Sequence, residues 1–196
     1  MTHFLYSDII VYGFHGCHID TKNALLDGSL KFKPSQKEYD WLGDGIYFWE
    51  NDPFRAQEWA DKKHGVNAAV IGAKIRLGTC FDMSNAFAKQ IVKESYLDFV
   101  ATATLANVAI PVNKNPKKFV GNPADKTLRY LDRAVLQYTF DILQEADPKT
   151  VYDTIRAPFQ EGFELYPGSG FREYDHIHLC VRNPRNIKSL FNPKIA

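Results

Sequence analysis

This chain has no long apolar run, no marked excess of charge of either sign and no paired cysteines. The first absence excludes a membrane-spanning helix. The second, 24 Lys and Arg against 23 Asp and Glu for a net charge of +1, means that no global field recruits nucleic acid or membrane. Any site for a polyanion has to be a local patch. Cys17, Cys80 and Cys180 are odd in number and far apart, so they form neither a disulfide framework nor a metal-spaced pair. The stretch "MTHFLYSDIIVYGFHG" lacks the basic start and long apolar run of a signal peptide. A reducing, cytoplasmic setting is therefore expected.

What is present is aromatic. Aromatics make up 14% of the 196 residues and hydrophobic residues 45%, enough for one good-sized domain with a real core. We expect a single domain over 1–196, with no repeat and no linker. Residues 8–16 read as a strand ending in His-Gly. Thr21 reads as a helix cap and Gly28 as its stop. "GIYFW" reads as a strand by its β-branched and aromatic content. "NDPFRAQEWADKKHG" is a well-punctuated helix: Asp52 caps, Pro53 fits the first turn and Gly65 ends it. Its Ala56, Trp59 and Ala60 are expected to face inward. Residues 67–83 read as a strand kinked at Gly72 or Gly78. Residues 85–109 lack Gly and Pro and carry Phe87, Ile91, Val92, Tyr96, Phe99 and Val100 at helical spacing. A basic loop over 110–126 precedes a helix over 127–146, whose first half could instead be a strand, and strands are expected over 150–159, 175–183 and 187–191. Strands and helices mix without regular βαβ alternation, which favours an α+β fold.

Three stretches could carry chemistry. His15-Gly16 ends the first strand; the glycine permits close backbone approach to a flat amide, and the histidine can donate to a sugar hydroxyl. The ordinary reading is a turn with a surface histidine. In "GDGIYF", Tyr47 follows Gly43 and Gly45, so its ring could stack on an aromatic ligand; a core tyrosine is the alternative. The late stretch "EGFELYPGSGFREYDHIHLC" holds Glu161, Glu164, Glu173 and Asp175, any of which could place a carboxylate beside a reacting centre, or form a solvated acidic loop. His176 and His178 share one strand face. No third ligand accompanies them, so no metal is expected.

In this order, the three stretches resemble the ADP-ribosyltransferase superfamily, in its diphtheria-toxin/poly(ADP-ribose) polymerase-like branch, named for a His–Tyr–Glu triad. "YDWLGDGIYFWENDPFRAQEWA", "VIGAKIRLG" and "HIHLCVRNP" are similar to small bacterial members of that branch, many of them toxins of toxin–antitoxin or phage-defence systems. The resemblance is strongest over 11–83 and 155–191. It implies a split antiparallel sheet with flanking helices, and NAD as substrate without a metal. It implies that Tyr47 stacks on nicotinamide, that Gly16 bonds the carboxamide and that His15 contacts a ribose hydroxyl. Gly45, Trp59 and Tyr39 would line the NAD site. The third triad position falls on His178 or on Glu173; the resemblance implies Glu there, with Gln or another residue in some members and often Gln in the equivalent of "HIHLC".

The implied activity is mono-ADP-ribosyl transfer to a macromolecular acceptor. The alternatives are an NAD glycohydrolase and a catalytically silent NAD- or ADP-ribose-binding module. Lys114, Lys117, Lys118, Lys126, Arg129 and Arg133 stand against Asp125 and Asp132 in residues 110–133. They could track a phosphate backbone such as RNA, or be a solvated loop. An acceptor that is protein or nucleic acid, and a neutralising antitoxin protein, are the partners the resemblance implies.

Overall fold

The computed structural model describes residues 5–195. The fold is α+β, as the mixed pattern predicts. The strands are β1 (Leu5–His18), β2 (Ile46–Glu50), β3 (Ala68–Asp82), β4 (Thr154–Phe159), β5 (His176–Val181) and β6 (Ile187–Phe191). The helices are α1 (Ile19–Leu26), α2 (Pro53–His64), α3 (Ala86–Leu105) and α4 (Tyr130–Ala146). The sheet order is β1-β2-β5-β4-β3-β6, and β1 also pairs with β3. The pairings of the first five strands thus close on themselves, with β6 on the flank of β3. All pairs are antiparallel except β3–β4.

Period-two alternation divides β2 between two cores. Ile46 and Phe48 join Ile75, Leu77, Leu179 and Val181. Tyr47 packs from the other side against Leu42, Phe81, Leu136, Phe140 and Ile155, where α4 covers the sheet. The expected kink is at Gly78, in the left-handed region at φ 63°. Just past it β3 takes up its parallel pairing with β4, at Cys80–Thr154.

Several boundaries differ from the sequence expectation. Helix α1 begins two residues before Thr21, because β1 runs straight into it and the His18 ring accepts from Asp20 N–H as its cap. Helix α2 is as expected: Asp52 accepts from Arg55 N–H at 2.9 Å, and Gly65 closes it. Helix α3 stops at Leu105, with Asn107 at positive φ. Its buried residues are Ala88, Ser95 and Ala103, with Val92 packed beside them, while Phe87 is exposed. Small residues face the core there because α3 packs closely against α4. Helix α4 starts at Tyr130 because Leu128 is drawn into a bridge with Lys114, and the Asn113 side chain caps Leu131 N–H. Residues 150–153 lie outside β4.

The sheet opens between β1 and β2. Strands β1 and β2 are paired only at Gly13–Glu50 and Phe14–Trp49. Beyond that point β1 follows β3 to His18, and β2 follows β5 back to Ile46. The two strands part, and a cleft forms between them.

Candidate active site

The cleft has a volume of about 620 Å³ and is walled by the ends of β1, β2, β4 and β5, by α2 and by the loop before β2. His15 spans its inner end. The ring Nδ1 lies 2.8 Å from the Tyr47 carbonyl oxygen. A carbonyl only accepts, so Nδ1 carries the proton and neutral His15 turns a lone pair on Nε2 toward the cleft. Burial lowers its pKa, which holds it neutral. The sequence reading made His15 a donor to a sugar hydroxyl; its Nδ1–H is instead spent on the Tyr47 carbonyl, which leaves Nε2 as an acceptor.

Tyr47 lines the cleft with its ring while its hydroxyl is already committed. The hydroxyl accepts from Leu42 N–H at 3.0 Å and donates to the Gly43 carbonyl at 2.8 Å. It fastens the turn before its own strand. Burial raises its pKa further, so it remains neutral. Tyr47 is therefore both a wall of the cleft and a packing residue.

The two glycines have packing reasons of their own. A Cβ on Gly16 would collide with the Ala56 carbonyl oxygen and press on Ala60 and Trp59. A Cβ on Gly45 would collide with the Cys180 sulfur and approach the Val181 carbonyl at 2.9 Å. Gly16 lets α2 sit directly over the end of β1, and Gly45 lets β2 close on β5. Both still line the cleft.

Because α2 is seated so closely, one helix face becomes a wall. Arg55, Trp59, Lys62 and Lys63 line the cleft at spacings i, i+4, i+7 and i+8. Ala56 and Ala60 are buried as expected, but Trp59 is turned outward, its ring beneath Lys63 at 4.3 Å. Lys33 and Lys37 stand in the opposite loop, with Tyr39, whose ring meets Tyr130. Five cations, Lys33, Lys37, Arg55, Lys62 and Lys63, thus face two carboxylates, Asp40 and Glu161. This is the local basic patch that the near-zero net charge allowed for.

Glu161 is the carboxylate held inside. Its side chain is 24% exposed and accepts from Arg55 Nη2 at 2.9 Å. Burial raises its pKa, and Arg55 partly offsets this. Arg55 also bonds Glu58, and its guanidinium lies 4.4 Å from the Tyr174 ring centroid. The Arg55 Nε is buried without a partner among the described residues. Asp40, by contrast, accepts Lys37 N–H within a turn.

The two candidates for the third position separate. His178 lines the cleft among the rings of Trp41, Tyr47, Trp49, Phe159 and His176. Glu173 does not: it is exposed, and its carboxylate accepts Phe163 N–H within the 161–174 loop. Glu164 is likewise exposed and accepts Gly168 N–H. The loop bends back on itself through a Glu164–Arg172 bridge, which carries Glu173 away and leaves Glu161, at its foot, in the cleft. Among the described residues no cluster of three or more His, Cys, Asp or Glu could hold a metal.

Sequence reasoning missed Arg55 and the lysines and ranked Glu161 below Glu173. The 55/59/62/63 spacing was readable in the helix, but nothing local said that this face overlooks a cleft. In the basic region, Arg133 pairs with Asp44 at 2.6 Å and Arg129 with Asp132 at 2.9 Å. That leaves Lys114, Lys117, Lys118 and Lys126 exposed. No helix among the described residues is long and apolar enough to cross a membrane.

Comparison with protein-family models, with curated proteins and with solved structures finds no match for this chain.

Proposed function

We propose that this chain is a mono-ADP-ribosyltransferase that takes NAD as donor and passes ADP-ribose to a macromolecule. One observation carries the reading: the same cleft offers aromatic walls, a cationic rim, a half-buried carboxylate and a neutral acceptor imidazole. A dinucleotide needs all of these. Its two flat rings stack on aromatic faces, its pyrophosphate needs local cations, and its ribose hydroxyls need oriented partners.

In the reaction, the bond between the ribose anomeric carbon and the nicotinamide nitrogen breaks. The electron pair leaves with nicotinamide, and positive charge develops on the ribose. The acceptor nucleophile then bonds to the anomeric carbon, and its proton passes to the Glu161 carboxylate. In this reading Tyr47 and Trp59 hold rings, and His15 accepts from a ribose hydroxyl. Lys33, Lys37, Lys62 and Lys63 offset the pyrophosphate charge. Glu161 opposes the developing cation, and Arg55 holds that carboxylate ionised and in place. The resemblance to bacterial toxins of this type suggests that the modification poisons its host or blocks a phage.

The test is incubation of the purified chain with NAD labelled in the adenosine moiety, with and without cell extract. Nicotinamide release that depends on extract, with label in macromolecules, is the expected result. Label removed by protease or by nuclease identifies the acceptor class. Release without extract would instead make the chain a glycohydrolase. Binding without release would make it a silent module, and no binding would remove NAD from the cleft.

A further inference from the structure

Where the resemblance implies Glu or Gln, the cleft carries His178. Its Nδ1 lies 3.2 Å from the indole nitrogen of Trp41, 137 residues away in sequence. An indole N–H only donates, so His178 Nδ1 has to carry a lone pair. A cationic imidazole would set two N–H groups against each other. The neutral ring therefore places its proton on Nε2, which has no bonding partner among the described residues.

We propose that Trp41 is a positioning residue that fixes His178 as the neutral Nε2–H tautomer, so that the cleft offers a hydrogen-bond donor for an uncharged ligand oxygen, a hydroxyl or an amide carbonyl.

The surroundings agree. Aromatic rings flank His178, with centroids at 5.1 Å for Trp49 and 5.9 Å for both Phe159 and Tyr47. The titratable and charged groups around it are His176 on its own strand, Tyr47 from β2 and Arg55 from α2. His176, with its ring centroid at 4.5 Å, donates Nδ1–H to the Tyr174 carbonyl, and the Tyr47 hydroxyl is committed to its turn. Arg55 is a cation and opposes a second one. Burial, then His176 and Arg55, lower the pKa of His178 well below the usual imidazole value. Supply of negative charge is thereby separated from sugar positioning, the first falling to Glu161 and the second to His178. The donor role rests on the NAD reading only for the identity of the oxygen.

The experiment reads the histidine ring nitrogens by NMR in the ¹⁵N-labelled full chain, across pH 5 to 8. In the unmodified protein, His178 is expected as the single Nε2–H tautomer, without titration in that range. Trp41→Phe keeps a ring but removes the indole N–H. It should give mixed tautomers and a titration moved toward the usual imidazole range. By calorimetry it should weaken NAD binding about tenfold at pH 7.5, the scale of one lost hydrogen bond. Binding should weaken further as the pH falls to 6. A wild-type Nδ1–H tautomer, or a spectrum unchanged by Trp41→Phe, would overturn the proposal. His178→Gln and His178→Leu serve if Trp41→Phe fails to fold. An amide offers an acceptor to Trp41 and a donor to the ligand, so Gln should bind NAD at least tenfold more tightly than Leu; equal losses would overturn it. An intact ring signature with no heat from NAD would remove the NAD reading and leave the tautomer standing.

Discussion

At the scale of single residues, Tyr47 carries two duties that substitutions can separate. Its ring walls the cleft; its hydroxyl ties Leu42 N–H to the Gly43 carbonyl. Tyr47→Phe should cost ~1–3 kcal/mol of stability by leaving those backbone groups unpaired, yet it should keep much of the NAD affinity. Tyr47→Ala should lose both, as thermal unfolding and calorimetry would show. Glu161 and Glu173 form a second contrast. Glu161→Gln should slow nicotinamide release roughly a hundredfold while NAD still binds, since a placed charge facing a developing cation contributes several kcal/mol. Glu173→Gln should leave the rate within about twofold, because its carboxylate only holds a loop N–H. The reverse ranking in a nicotinamide-release assay would sink the Glu161 assignment. The Glu161 pKa lies above its ordinary value. If Glu161 acts as the ionised carboxylate proposed above, the rate should fall as the pH drops, beginning above the usual carboxylate range.

Among elements, the seating of α2 on β1 decides the cleft. It depends on Gly16, where the Ala56 carbonyl leaves no space for a methyl group. Gly16→Ala has to lift the helix, and with it Arg55, Trp59, Lys62 and Lys63. We expect a loss of ~1–3 kcal/mol, the usual cost of overpacking, together with weaker NAD binding. Unchanged urea midpoint and affinity would mean that the helix yields without moving its polar face. The spread of β1 from β2 is the other determinant. Each of the two strands keeps its ladder on the far edge along the open stretch, and on the cleft edge the Tyr47 carbonyl is taken up by the His15 ring.

Across the whole molecule, a buried charge network joins three strands away from the cleft. Arg156 of β4 bonds Glu50 of β2 through Nε at 2.6 Å and Nη2 at 2.9 Å, and Asp82 of β3 through Nη1 at 3.1 Å. The carboxylates are almost fully buried, with side-chain exposures of 6% and 5%. Arg156→Leu leaves both without their cation and should cost ~3–5 kcal/mol, measurable in denaturant. The histidines set the acid limit of stability. His176 has its pKa lowered to about 4 by burial, with its Nδ1–H bond to Tyr174 opposing the shift. In the unfolded chain it titrates near 6.5. Between these values the unfolded state binds more protons, so stability falls as pH drops from about 6.5 to 4, by roughly 3 kcal/mol for this residue. His15 and His178 act in the same direction. A chain equally stable at pH 7 and pH 4.5 would contradict this.

Patterns of short range were readable without the fold. Caps and residue composition marked most strands and helices, and helical spacing marked α3, although its buried face is Ala88, Ser95 and Ala103 and not the spaced aromatics. The Asp52–Pro53–Gly65 punctuation of α2 was legible because caps satisfy backbone groups a few residues away. His15, Tyr47 and His178 stood out through their glycine and strand context, and the structure brings all three to one cleft. Contacts over long range were decided only by tertiary packing. The bend of the 161–174 loop chose Glu161 over Glu173, a choice made by a backbone bridge that leaves no periodic trace. The cationic wall exists because a missing Cβ at Gly16 lets a helix face settle over a strand end. The tautomers of His15 and His178 are set by a carbonyl 32 residues away and an indole 137 residues away. A sequence specifies which groups can donate or accept; only the folded chain specifies which partner each one meets, and so what remains for a ligand.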